Sequence, residues 1–130
     1  SRTYHILLND SREPSFLEPI LLRNLPFDAQ VGILVHELGH TNYYRNLNVL
    51  EIISWALNYG LRPSYRAKHE RSTDALVVYQ GMGWQLLDYA EFVRFDSTSQ
   101  ELYSNGKVFM DTFYMTPREI ERTMKESGLY

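Results

Sequence analysis

The sequence predicts a mainly α single domain with a small N-terminal β-sheet, an α+β arrangement over residues 1–130. Apolar residues recur at helical spacing over most of residues 31–94. Helix start and stop signals punctuate that stretch, and a β-prone run at residues 3–8 opens the chain. A chain of 130 residues, 44% hydrophobic and 22% charged, is long enough to bury one core without disulfides.

Residues 3–8 read as a strand because Thr3, Tyr4 and Ile6 favour extension, and the turn-prone Asn9, Asp10, Ser11 and Pro14 follow. Residues 20–22 read as a second short strand or as a loop ending at Pro26. Asp28 is a suitable N-cap for a helix running to about Tyr44, with Val31, Leu34, Val35 and Leu38 as its apolar stripe. Asn46-Leu47-Asn48 breaks that pattern. A strongly apolar second helix follows over residues 49–59 and ends at Gly60. Pro63 and Ser64 start a third, running to about Gln80, where Gly81-Met82-Gly83 interrupts it before a fourth over residues 84–94. Residues 96–106 read as a loop, given Ser97-Thr98-Ser99 and Asn105-Gly106. Residues 108–114 read as a strand or as part of the same excursion. Thr116-Pro117-Arg118-Glu119 opens the last helix with a capping box, and Gly128 ends it.

The chain has no cysteine, which excludes disulfides, thiolate ligands and cysteine nucleophiles, so any metal must be held by nitrogen and oxygen. A net charge of −3 with no basic stripe argues against a nucleic-acid partner. No apolar run is long enough for a membrane span. No basic-then-apolar leader opens the sequence, which starts at Ser1, and a cytoplasmic location is the default expectation. Ten tyrosines suit half-buried packing or a groove that grips extended chains.

The chemistry concentrates in His36-Glu37-Leu38-Gly39-His40. Histidines four apart on a helix project from one face, so two imidazoles can share a tetrahedral zinc ion, with Glu37 beside the remaining position. Chance matches to this pattern in a chain of this composition number on the order of 0.01. Gly39 costs on the order of 1 kcal/mol inside a helix, which points to a backbone approached closely. A third ligand must come from elsewhere. Tyr43 and Asn46 stand where a metzincin continuation needs glycine and histidine, so that branch is excluded. Lys68-His69-Glu70-Arg71-Ser72-Thr73-Asp74 offers His69, Glu70 and Asp74. Glu70 and Asp74 share a helix face, whereas His69 points about 100° away. The competing reading of that face is a solvated acidic surface beside Arg66 and Arg71.

Together, His36-Glu37-Leu38-Gly39-His40 and Glu70-Arg71-Ser72-Thr73-Asp74 resemble the gluzincin pattern of the thermolysin-like metallopeptidases. The chain length is similar to that of the single-domain minigluzincins. The resemblance implies a zincin-like domain with an active-site helix and a ligand helix. It also implies His36, His40 and Glu70 as zinc ligands, Glu37 as general base, and Asp74 hydrogen-bonded to the far nitrogen of His36. It covers residues 36–74 only, and the downstream subdomain of the larger enzymes does not fit in this length. It assigns no residue to steady a tetrahedral intermediate; Tyr114, Tyr65 and His69 are the candidates. His5 reads as exposed or structurally hydrogen-bonded rather than as a ligand.

The expected activity is zinc-dependent peptide-bond hydrolysis by water that zinc activates and Glu37 deprotonates. The expected substrate is an extended peptide or protein segment, docked on an edge strand near residues 4–8. Two alternatives stand beside it. One is a catalytically inactive, zinc-stabilised scaffold or regulatory binding domain, which His69 as a fourth, closing ligand would mark. The other is a repressor-cleaving regulatory peptidase with the same helix motif.

Overall fold

The computed structural model describes residues 3–9 and 17–130. Six α-helices account for most of them: α1 (Phe27–Tyr44), α2 (Val49–Leu61), α3 (Pro63–Val77), α4 (Gly83–Phe95), α5 (Gln100–Phe113) and α6 (Pro117–Ser127). Two 3-10 turns, Glu18–Ile20 and Leu22–Asn24, precede α1, and a π-helical segment, Val78–Met82, joins α3 to α4.

The expected N-terminal sheet is absent: the described residues contain no strand. A β-ladder needs a second extended segment. Ile20 ends the first 3-10 turn and Leu22 starts the second, leaving Leu21 as a single extended residue between them, and residues 108–113 belong to α5. Residues 3–9 therefore run as irregular chain with Leu7 92% exposed. The turn expected after Asn9 lies outside the described residues.

The loop expected at residues 96–106 is also corrected. Asp96 closes a short turn by accepting from the backbone N–H of Thr98 at 2.8 Å, and α5 starts at Gln100. Leu102, Phe109, Met110 and Phe113 recur at helical spacing, and Asn105-Gly106 stays inside the helix without a left-handed residue. Helix α1 starts one residue before the expected Asp28 cap. Pro26 holds the cap position without a side-chain hydrogen bond, and Asp28 lies in the first turn, where a negative charge suits the helix dipole.

Other boundaries follow their local chemistry. Asn48 caps α2 through a reciprocal capping box with Glu51, and Thr116 does the same for α6 with Glu119. The interruption at Gly81 is real: its φ of 85° breaks the helix inside the π segment. The Tyr130 hydroxyl pins this break, donating to the Val78 carbonyl at 2.8 Å and accepting from the Gly83 N–H at 2.6 Å.

The core gathers Val77 and Val78 with Leu86, Leu87 and Ala90 of α4 and Ile120 and Met124 of α6. Helix α1 crosses α4 at Gly32, where an added Cβ would lie 2.2 Å from the Gln85 carbonyl oxygen. It meets α3 at Gly39, where a Cβ would lie 2.8 Å from Thr73 Cγ2, so the glycine in the histidine motif does mark a close approach. These contacts bring the faces of α1 and α3 that carry the titratable residues together. No helix among the described residues is long and apolar enough to cross a membrane.

Candidate metal centre

Helix α1 supplies His36, Glu37 and His40, and α3 supplies Glu70 and Asp74. One potential ligand atom from each of His36, Glu37 and His40 lies within 4.8 Å of the others. Glu70 Oε2 stands 3.1 Å from His36 Nε2 and 3.4 Å from His40 Nε2. Two imidazole nitrogens and one carboxylate oxygen thus converge, with their Nε2 atoms turned toward the same oxygen.

Both histidines are held from behind. His36 Nδ1 lies 2.8 Å from Asp74 Oδ1, and Asp74 Oδ2 accepts from the backbone N–H of Met115 at 2.8 Å. That carboxylate therefore ties the imidazole of α1 to the connection between α5 and α6. His40 Nδ1 lies 3.2 Å from His69 Nε2 and 3.4 Å from Thr73 Oγ1. His69 thus faces the back of His40, away from the side on which Glu70 meets it. The rings of Tyr43, Tyr44, Trp55 and Tyr59 pack around His69, with centroids 4.8–6.2 Å from its own.

Charge and burial conflict strongly here. His36 and Glu70 are each 2% exposed and Asp74 is 3% exposed. Burial disfavours the His36 cation, but hydrogen bonds and charge from Asp74 and Glu70 outweigh it and push its pKa up to about 10. Burial likewise opposes ionisation of Glu70, yet His36, His40 and Tyr59 together hold its carboxyl well below the usual carboxylate range. Burial, with the nearby His40, lowers the His69 pKa and favours its neutral form. A neutral His69 can accept at Nε2 from a His40 Nδ1–H.

The fit to a metal follows from this chemistry. A buried pair of carboxylates requires positive charge, which a proton on His36 supplies and which a divalent cation among the three converging groups would supply instead. Two nitrogens and one oxygen, with no thiolate, suit zinc with one coordination position left for water or substrate.

Glu37 is partly exposed and stands between two openings. One is an apolar cavity of about 410 Å³ whose lining includes Ile33, Tyr89, Phe109, Met110 and Tyr114. The other is a recess of about 170 Å³ bounded partly by residues 6–9, so the N-terminal segment reaches Glu37 without forming a strand. Tyr114, one of three residues weighed for an intermediate, lines the cavity with its ring centroid 5.9 Å from that of His36. Tyr65 lies instead on an outer groove with Tyr43, Lys68 and His69. His5 is exposed on the segment of residues 3–9.

Sequence reasoning missed Tyr59, whose hydroxyl donates to Glu70 Oε1. A signal for it existed: only Arg62 separates α2 from α3, and so short a link makes the two helices neighbours. It also missed the backbone N–H of Met115, for which no side-chain pattern exists. No family model, curated protein or solved structure matches this chain.

Proposed function

We propose that this chain is a zinc-dependent metallopeptidase of gluzincin type, with His36, His40 and Glu70 as ligands and Glu37 as general base. The observation that supports it most is the convergence of His36 Nε2 and His40 Nε2 on Glu70 Oε2, at 3.1 and 3.4 Å. A zinc ion bound there supplies a Lewis acid that polarises a substrate carbonyl and makes water acidic enough to attack near neutral pH.

The remaining work falls to the chain's own groups. Asp74 accepts from His36 Nδ1–H and fixes the tautomer that presents Nε2. His69 and Thr73 do the same for His40. Tyr59 occupies Glu70 Oε1 and leaves Oε2 toward the histidines. Glu37 takes the proton of the attacking water and delivers it to the leaving amine nitrogen. The apolar cavity beside Glu37 suits a large apolar side chain of a peptide substrate. Against the scaffold alternative stands the position of His69, whose Nε2 faces His40 Nδ1 rather than closing the ligand set.

The test is peptide cleavage. Zinc-loaded protein incubated with unstructured proteins and mixed peptide libraries should cleave some of them, a chelator should stop it, and restored zinc should revive it. Zinc binding without any cleavage would instead favour the scaffold.

A further inference from the structure

Helix α2 is apolar on two sides, but only one is covered. Its inner side packs Trp55 and Tyr59 around His69. Its outer side carries Leu50, Ile53, Leu57 and Leu61, spaced along one helical face, with Val49 at the start. These five are 77%, 52%, 58%, 77% and 68% exposed respectively, and no residue of α2 is buried. Scattered exposed aliphatics need no explanation, but a contiguous stripe on one helix marks a contact surface.

Charge around the stripe selects the partner. Residues 45–68 carry four cations, Arg45, Arg62, Arg66 and Lys68, against the single acid Glu51, in a chain of net charge −3. Arg45, the C-cap of α1 four residues before α2 begins, and Arg62, the C-cap of α2, are both exposed. The Glu51 carboxylate is turned onto the helix start, accepting from the Asn48 N–H at 2.7 Å. Arg66 is engaged elsewhere, stacked over Tyr59, Phe109 and Phe113 at 5.0–5.3 Å. Helix α2 itself carries no cation, but an apolar stripe with cations flanking it along the chain suits shallow contact with an anionic bilayer. A symmetric contact between two copies would set like charges against each other, with Glu51 alone to offset them.

We propose that the outer face of α2, from Val49 to Leu61 with Arg45 and Arg62 flanking the helix along the chain, is a peripheral docking surface for an anionic lipid membrane. Insertion is shallow, because only one side of the helix is free. The inner side keeps Tyr59 on Glu70, so docking holds the metal-site face about one helix diameter, ~10 Å, from the lipid.

Sedimentation with vesicles tests this without reference to catalysis. The protein should bind vesicles of phosphatidylcholine mixed with phosphatidylglycerol, bind phosphatidylcholine alone at least about tenfold more weakly, and lose affinity as salt rises. The double variant Leu50→Gln/Leu57→Gln should lower binding to the anionic vesicles by roughly tenfold or more. Arg45→Gln/Arg62→Gln should lower it by a similar factor and reduce the preference for anionic lipid. Both variants alter exposed positions and should melt as wild type does. No binding to the anionic vesicles, or binding indifferent to lipid charge, overturns the proposal. So does a wild-type dimer that Leu50→Gln/Leu57→Gln dissociates while neither protein binds vesicles, which would identify a contact between copies.

Discussion

His36 is gripped at both ring nitrogens by carboxylates from α3, and that grip decides how substitutions around it behave. Asp74→Asn keeps the size of the side chain but weakens its acceptor strength toward His36 Nδ1. Calorimetric titration should show zinc affinity lower by about 10- to 100-fold, the usual worth of a group that orients a ligand. Unchanged affinity would remove Asp74 from the site. Tyr59→Phe leaves Glu70 Oε1 without its buried donor and should weaken zinc binding less than Asp74→Asn does, since Oε2 and both histidines remain. Legibility at this scale tracked spacing along a helix. His36 and His40 declare themselves because i and i+4 share a face, as do Glu70 and Asp74, and Glu37 follows from its place beside the first histidine. The contact of His69 with the back of His40 depends on how α3 packs on α1, and that of Trp55 with His69 on the angle at which α2 turns back on α3. The short Arg62 link makes α2 and α3 neighbours but does not set that angle.

Among the elements, α1 and α6 give the clearest consequences. Gly32→Ala would push a methyl into the Gln85 backbone, which cannot yield as a side chain can, and should destabilise by about 3 kcal/mol. Gly39→Ala meets side chains rather than backbone, pressing on the Thr73 methyl and making ordinary contact with Leu76, and should cost less; thermal melts of the two variants check the order. In α6, Thr116→Ala removes half of the capping box and should cost about 1 kcal/mol by denaturant titration. Burial opposes ionisation of Glu119 in that box, but Thr116 and the Arg71 cation outweigh it and lower its pKa. A carboxyl lowered on folding contributes stability above its unfolded pKa and loses it as pH falls through the folded value. Acid titration of stability should therefore show a small decline below the ordinary glutamate range that Glu119→Gln flattens. The Thr116 capping box, the Pro63 start and the Gly81 break were legible because caps and breakers act within a few residues, whereas Asn48 reads only as part of a break and not as the cap of α2. Helix α5 was not, since Asn105-Gly106 carries turn chemistry that packing of Leu102, Phe109 and Met110 overrides.

At the scale of the molecule, the helical character follows from the spacing of apolar residues, but the expected sheet is not found among the described residues. A strand is a pairing, and residues 3–8 have the composition for one without a partner segment among the described residues. The candidate site survives that correction because His36, Glu37 and His40 lie on α1 and Glu70 and Asp74 on α3, and these helices meet at Gly39 and Thr73. Zinc that binds only the folded chain should raise the melting temperature, by about 4 kcal/mol of added stability at a thousandfold excess over the dissociation constant. His36→Ala should abolish that rise. The most direct test of the central claim is Glu37→Gln, read for zinc content and peptide hydrolysis in the same preparation. The substitution keeps the side chain's size, removes its basicity and leaves His36, His40 and Glu70 intact. Zinc content and melting temperature should match wild type while hydrolysis falls by about 10² or more. Full hydrolysis in the zinc-loaded variant would contradict the account.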